Sequence, residues 1–309
     1  MMTTQETLRL FSGLSAFPLT PTDAAGHLQA DVLCRFLENI QAAGADSIGL
    51  LGSTGGYAYL TREARQRAVR VAVECVGGNI PIIVGVGALR TDEAETLARD
   101  SRAAGADGLL LAPMSYTPLT DEEVFQHFSA VAEAGGLPLC IYNNPSTTKF
   151  TFSDDLIARL AKLPNIAAVK MPLPANGDFS GEIERLRGVT PDGFAIGYSG
   201  DWGASDALLA GCDAWYSVVA GLLPAPALAL TRAAQAGDGP DAARINDAFQ
   251  PLWNLFRAFG SFRVMYMMAD LLGLARIEPP RPILPLPREA YGRVEQALQN
   301  LKGVGRFLP

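Results

Sequence analysis

Short apolar runs alternate with longer stretches of helical periodicity along the first two-thirds of this chain. The runs Gly13–Phe17, Ser47–Leu51, Pro81–Gly85, Gly108–Ala112, Leu137–Tyr142, Ile166–Lys170, Phe194–Gly197 and Ala214–Val219 are bounded by turn formers and read as buried strands. Between them, Ala30–Ala43, Arg62–Val76, Asp92–Ala104, Glu122–Ala134 and Ser153–Ala161 carry apolar residues at helical spacing. Thr61, Thr91 and Ser153 stand where side chains cap helix starts. A helix after each strand demands crossover connections and therefore a parallel sheet.

An internal echo favours closure of that sheet. Ala42-Ala-Gly-Ala-Asp46, Ala103-Ala-Gly-Ala-Asp107 and Leu209-Ala-Gly-Cys-Asp213 each precede a strand, with glycine stopping a helix and a short polar turn launching the next run. Eight such strands predict a (β/α)8 TIM barrel. An open doubly wound sheet is the rival, but Gly85-Val-Gly87 and Gly52-Ser-Thr-Gly-Gly56 lack the G-x-G-x-x-G spacing and the later ribose-binding acid. Beyond about Gly237 the strands stop. Helical stretches around Asp241–Ala258, Ser261–Leu272 and Arg288–Leu301 then predict a C-terminal appendage, giving a barrel over 1–236 and a helical region over 237–309. The stripe Trp253, Phe256, Phe259, Phe262, Met265 and Met268 reads as helix packing.

Composition narrows the function classes. The chain has 309 residues, is 49% hydrophobic and carries a net charge of −7, which argues against a nucleic-acid footprint. The first residues lack a basic segment followed by an apolar one, and no run approaches a membrane span, so a cytoplasmic protein is expected. Cys34, Cys75, Cys140 and Cys212 form no C-x-x-C pair and are expected to be reduced core residues. His27 and His127 stand far apart in polar contexts, so neither a metal site nor a histidine general base is expected.

Barrel enzymes work at the C-terminal ends of their strands. Lys170 ends the run that begins at Asn165, and it shares the chain with only Lys149, Lys162 and Lys302. Burial at an apolar barrel mouth would disfavour its ammonium form and free the amine as a Schiff-base nucleophile. The second strand ends in Gly52-Ser53-Thr54-Gly55-Gly56, whose amides and hydroxyls suit a carboxylate. The fifth ends in Tyr142-Asn-Asn-Pro145, where a phenol can move protons. The seventh ends in Ser199-Gly-Asp201. Each alone has an ordinary reading: a snorkelling lysine, a tight turn, a rim aromatic.

In this order the motifs resemble the dihydrodipicolinate synthase/N-acetylneuraminate lyase family of class I aldolases, and the likeness covers essentially the whole chain. Gly52-Ser-Thr-Gly55, Tyr142-Asn-x-Pro145, Val169-Lys170, Ser199-Gly-Asp201 and Pro81-Ile-Ile-Val-Gly-Val-Gly87 carry it. The resemblance implies that Lys170 forms an imine with pyruvate or a related 2-oxo acid and that Tyr142 relays protons. Gly52, Ser53, Thr54, Ser115, Tyr116 and Ser199 would bind substrate, with no metal or organic cofactor. It also implies a homotetramer or homodimer.

Departures from the family pattern are equally specific. Gly56 and Tyr57 follow the loop where the synthases place Glu, and Thr147 stands where they place the arginine that grips a second carboxylate. Ser115 takes the relay tyrosine's place in Pro113-Met-Ser-Tyr116, with Tyr116 displaced by one, and Met171 replaces the usual Glu after the lysine. Tyr57, Arg62 and Met114 differ at feedback positions and argue against inhibition by lysine. The expected activity is a Schiff-base lyase or aldolase other than a true dihydrodipicolinate synthase. The alternatives are a 2-keto-3-deoxy sugar acid dehydratase using the same imine and a non-catalytic binding paralogue.

Overall fold

The computed structural model describes residues 4–304. Strands β1 (Gly13–Ala16), β2 (Ser47–Leu50), β3 (Ile82–Gly85), β4 (Gly108–Leu111), β5 (Leu139–Tyr142), β6 (Ile166–Met171), β7 (Ala195–Tyr198) and β8 (Ala214–Ser217) pair in chain order, all parallel. β8 returns to β1 to close a barrel. Helix α1 (Thr4–Leu10) precedes the first strand. α2 (Ala30–Ala43), α3 (Arg62–Val76), α4 (Thr91–Ala103) and α5 (Asp121–Gly135) follow the first four strands. A single turn α6 (Pro145–Thr148) and α7 (Asp154–Leu160) follow β5, and α8 (Phe179–Val189), α9 (Ala204–Leu209) and α10 (Pro224–Gln235) follow the last three strands. The chain is thus the (β/α)8 barrel that its alternation predicts, with the strand ends displaced by a residue or two.

The repeated Gly-x-Asp turns have a definite task. Asp46, Asp107 and Asp213 each accept a backbone N–H from the start of the preceding strand: Leu14 at 2.7 Å, Ile82 at 2.8 Å and Ile196 at 2.7 Å. A carboxylate at the foot of β2, β4 and β8 therefore ties each strand to its neighbour with a charge-assisted bond. Thr61 and Ser153 cap α3 and α7, accepting from Ala64 and Leu156 at 3.2 Å each. Thr91 does not cap; it is the first residue of α4, and its hydroxyl lies 3.0 Å from His127 Nδ1.

His127 is consequently not in a polar setting. It is buried on α5 beside Phe128, and its Nε2 has no partner. Burial holds its pKa below the ordinary histidine value, with Glu95 opposing weakly. The folded chain favours neutral imidazole while the unfolded chain takes up a proton near pH 6.5. Stability should therefore be complete above that pH and fall as pH drops below it. Thermal unfolding from pH 7.5 to 5 should show this loss, and His127→Gln should flatten it.

The cysteine expectation needs a correction. Helices α2 and α3 lie side by side and bring Cys34 and Cys75 to a Cα–Cα distance of 5.8 Å, where their sulfurs are bonded as a disulfide rather than reduced. Cys140 and Cys212 are free and buried, as expected.

After α10 come α11 (Gly239–Phe259), α12 (Ser261–Leu271) and α13 (Tyr291–Asn300). Asp238 caps α11 by accepting from Asp241, so the Asp238–Asp241 break is a helix start. α11 packs on α9 and α10, and Trp253, Phe256, Met265 and Met268 join the core between barrel and helices. Phe249 stacks on Trp253 at 4.6 Å. No helix among the described residues is long and apolar enough to cross a membrane.

Inside the barrel, every second residue of a strand points to the axis. Phe17, Cys140, Tyr142, Ala168, Ala195, Ala214 and Tyr216 meet there. Small residues make room for large ones: a Cβ on Gly49 would lie 2.2 Å from the Phe17 ring, and one on Gly197 would lie 2.5 Å from Tyr216. Because Phe17 is fully buried and Gly52 confines it from another side, it cannot yield. Gly49→Ala should cost about 1–3 kcal/mol by overpacking. A lowered midpoint in denaturant unfolding would measure that cost.

Candidate active site

Lys170 comes to the top of β6 in register with Tyr142 on β5 and Gly197 on β7. It is only 4% exposed, and its Nζ sits 3.9 Å from the centre of the Phe17 ring, 4.2 Å from Tyr142 and 5.5 Å from Tyr216. Loss of hydration dominates its titration and brings the amine down to about 7, although Cys140 and Asp201 pull the other way. A large fraction of the side chain is therefore a neutral amine near neutral pH, as a nucleophile requires.

Tyr142 lies beside it with its hydroxyl at a junction. Asn144 Nδ2 donates to that oxygen at 3.0 Å, and Ser53 Oγ lies 3.3 Å away. Burial raises the phenol's pKa while both partners oppose, so the group remains a protonated donor. Ser53 and Thr54 arrive on the loop after β2. That loop turns sharply: Leu51 has φ 56°, Gly56 has φ 61°, and the carbonyl of Leu51 approaches Gly85 so closely that any Cβ there would collide. Thr54 is buried and Ser53 faces the opening. The loop thus joins the proton-bearing tyrosine directly.

Ser53 also lines a cavity of about 360 Å³ whose wall includes Gly56, Tyr57, Met114, Ser115, Thr147, Thr148, Phe262 and Ile283. Phe262 on α12 and Ile283 on the following loop reach it from the C-terminal region, so that part of the apolar stripe serves the mouth as well as the packing. Among the described residues, no Lys, Arg, His, Asp or Glu lines this space. Lys149 is not a substitute cation: its Nζ donates to the Ser146 carbonyl at 2.8 Å and its side chain is exposed. A larger hollow lined by Asn165, Gly193 and Phe194 lies under the opposite, N-terminal ends of the strands, away from Lys170.

The remaining residues expected at the site are placed unevenly. Ser115 lines the cavity and donates to the Thr117 carbonyl within its own turn. Tyr116 is 99% exposed and is not part of the cavity wall, so within one chain it does not meet the buried Lys170. Ser199 donates to the Met171 carbonyl at 3.0 Å, joining β7 to the strand that carries the lysine.

The neighbouring Asp201 is buried and accepts from Trp215 Nε1 at 3.0 Å and from the amides of Val218 and Val219 at 3.1 and 2.7 Å. Burial pushes its carboxyl up to about 6 against these donors and Lys170. It staples the top of β7 to the end of β8. Phe17, Asp201 and Tyr216 were not singled out from the sequence as site residues. The two aromatics have the same inward parity as Lys170, and counting by twos from each strand's aligned end would have found them.

The Dihydrodipicolinate synthetase family model matches residues 10–301. A 4-hydroxy-tetrahydrodipicolinate synthase of Methylococcus capsulatus is 36% identical over 286 residues, covering 91% of this chain and 95% of that protein. A crystal structure of dihydrodipicolinate synthase from Agrobacterium tumefaciens superposes with a TM-score of 0.95 at 59% identity, covering 96% of this chain and all of that one. The Acinetobacter baumannii dihydrodipicolinate synthase, crystallised with pyruvate, superposes at 0.87 with 29% identity over 96% of this chain and all of that one. By near-complete coverage in sequence and fold, this chain belongs to the dihydrodipicolinate synthetase family and is a class I, lysine Schiff-base lyase.

Proposed function

We propose that the protein cleaves or condenses a 2-oxo acid through an imine on Lys170, with pyruvate as donor or product. The observation that carries this is the buried amine, brought down to about 7, beside a tyrosine hydroxyl held by Asn144 and Ser53. The amine attacks the ketone carbon, water leaves, and the protonated imine withdraws electrons from C3. That carbon then loses a proton or a carbon fragment as the enamine forms. Tyr142 supplies and recovers protons at the reacting oxygens, and the Gly52–Gly56 loop, with Ser53 and Thr54, holds the carboxylate. Ser115 borders the second reactant, and Ser199 braces the strand end.

The second reactant is proposed to be an uncharged carbonyl compound rather than aspartate semialdehyde. A carboxylate is best gripped by a bidentate guanidinium, and the cavity wall offers Thr147 there. Hydroxyls from Ser53, Ser115, Thr147 and Thr148 also suit a hydroxylated keto acid, which keeps the dehydratase reading in play. Family likeness further supports a cytoplasmic homo-oligomer. The exposed Tyr116 and Leu89 are apolar surface that a second copy could cover.

Reductive trapping tests the chemistry: borohydride added with pyruvate should leave one adduct, mapped by peptide mass spectrometry to Lys170. Product analysis with a panel of aldehydes and keto sugar acids then separates cleavage to pyruvate plus aldehyde from dehydration. Absence of any adduct across 2-oxo acids would leave only the binding paralogue. Efficient condensation of aspartate semialdehyde would overturn the assignment away from the synthases.

A further inference from the structure

The nitrogen of Lys170 is enclosed on several sides by π-faces. Phe17 is nearest at 3.9 Å, Tyr142 is at 4.2 Å and Tyr216 is at 5.5 Å. Phe17 and Tyr216 meet edge to face, 6.1 Å between centroids at 81°, so each fixes the other. Space for them is built into the barrel: Gly49 and Gly52 leave the slot for Phe17, and Gly197 leaves the slot for Tyr216. A hydrophobic wall alone could be made from leucine or valine without three glycines. Aromatic faces do something aliphatic walls cannot, because their quadrupole attracts a cation.

We propose that Phe17, seconded by Tyr216, is a catalytic residue that stabilises the cationic imine on Lys170 through its π-face. The inference rests on the Schiff-base reading above. Imine formation takes a neutral amine, a ketone and one proton, and yields the protonated imine and one water. Charge therefore appears at the nitrogen during the step when the amine starts neutral. A compact ammonium loses strong hydration in this dry cup, whereas an iminium spreads its charge over carbon and nitrogen and is more weakly hydrated, as guanidinium is. The cup thus withholds water from the ammonium and returns a cation–π contact to the iminium.

That asymmetry gives the proposal a signature in pH. Above the amine's pKa of about 7, the aromatic face stabilises only the product. Below it, reactant and product are both cations and much of the effect cancels. The titratable groups facing the nitrogen are Cys140, Tyr142, Tyr216 and Asp201. Cys140 stays a thiol with its pKa pushed up to about 12, and both phenols are raised and stay protonated. Asp201 titrates near 6, and comparing ring variants at one pH cancels its contribution.

Phe17→Leu is the direct variant, but it leaves a cavity in the core. The decisive series replaces Phe17 with 4-fluoro-, 3,5-difluoro- and 3,4,5-trifluorophenylalanine in the full-length protein, weakening the quadrupole with little change of shape. The readout is the equilibrium yield of borohydride-trapped pyruvate adduct on Lys170 at pH 8.5 and 6.0. We expect the pyruvate concentration for half-maximal trapping to rise step by step with fluorination, roughly 3- to 30-fold across the series at pH 8.5, and much less at pH 6.0. A flat series at pH 8.5, or the same decline at both pH values, would show that the ring only packs and overturn the proposal while the Schiff base stands. No adduct in the unsubstituted protein would overturn both together.

Discussion

Replacing Lys170 with methionine will abolish pyruvate trapping and lower turnover by about 10⁴-fold or more, since among the described residues Lys170 is the one buried lysine and no other amine can form the imine there. The same substitution is expected to raise the unfolding temperature. Lys170 is buried with its pKa brought down to about 7, whereas the unfolded chain holds that proton up to about pH 10.4. Between those values the unfolded state binds more protons, so wild-type stability climbs with pH across that window, and the methionine variant should lack the climb. Removing a buried amine thus exchanges function for stability. In the wild type, the initial trapping rate should rise as pH passes about 7 and then level off. A rate that keeps rising towards pH 10 would instead indicate a solvated lysine.

Tyr142→Phe should lower kcat by about 10²–10³-fold while leaving the fold and most of KM unchanged. The hydroxyl is the junction between Asn144 Nδ2 and Ser53 Oγ, and the ring that faces Lys170 survives the substitution. Trapping should therefore become slow rather than disappear, because water can carry protons poorly in the phenol's place. Stopped-flow measurement of imine formation, compared with steady-state kcat, separates the two steps. A variant with wild-type kcat would remove Tyr142 from the proton relay.

The barrel was legible because its determinants are local. Strand length, helix periodicity and the Gly-x-Asp turns recur along the chain, and the structure adds that Asp46, Asp107 and Asp213 in those turns tie strand to strand. Lys170 and Tyr142 were legible because strand ends in a barrel converge, so two distant motifs acquire one location. Thr91 differs from its expected cap because a threonine before acidic residues looks the same in sequence whether its hydroxyl caps the helix or meets His127. The Cys34–Cys75 bond was invisible for a similar reason, since their spacing along the chain says nothing about two helices packing side by side.

The sequence by itself determined the parallel barrel and marked Lys170, Tyr142 and the Gly52–Gly56 loop as candidate site residues, from periodicity, residue chemistry and family motifs. Only the tertiary structure decided what surrounds the nitrogen and what lines the mouth. Phe17 and Tyr216 reach Lys170 from the residue after β1 and from β8, far from it in the chain, through slots left by Gly49, Gly52 and Gly197. Phe262 and Ile283 arrive from beyond the barrel, while Lys149 turns back on its own loop and Tyr116 faces outward. Such placements depend on inward parity around a closed sheet and on helix packing. These are relations between distant segments that no local pattern encodes.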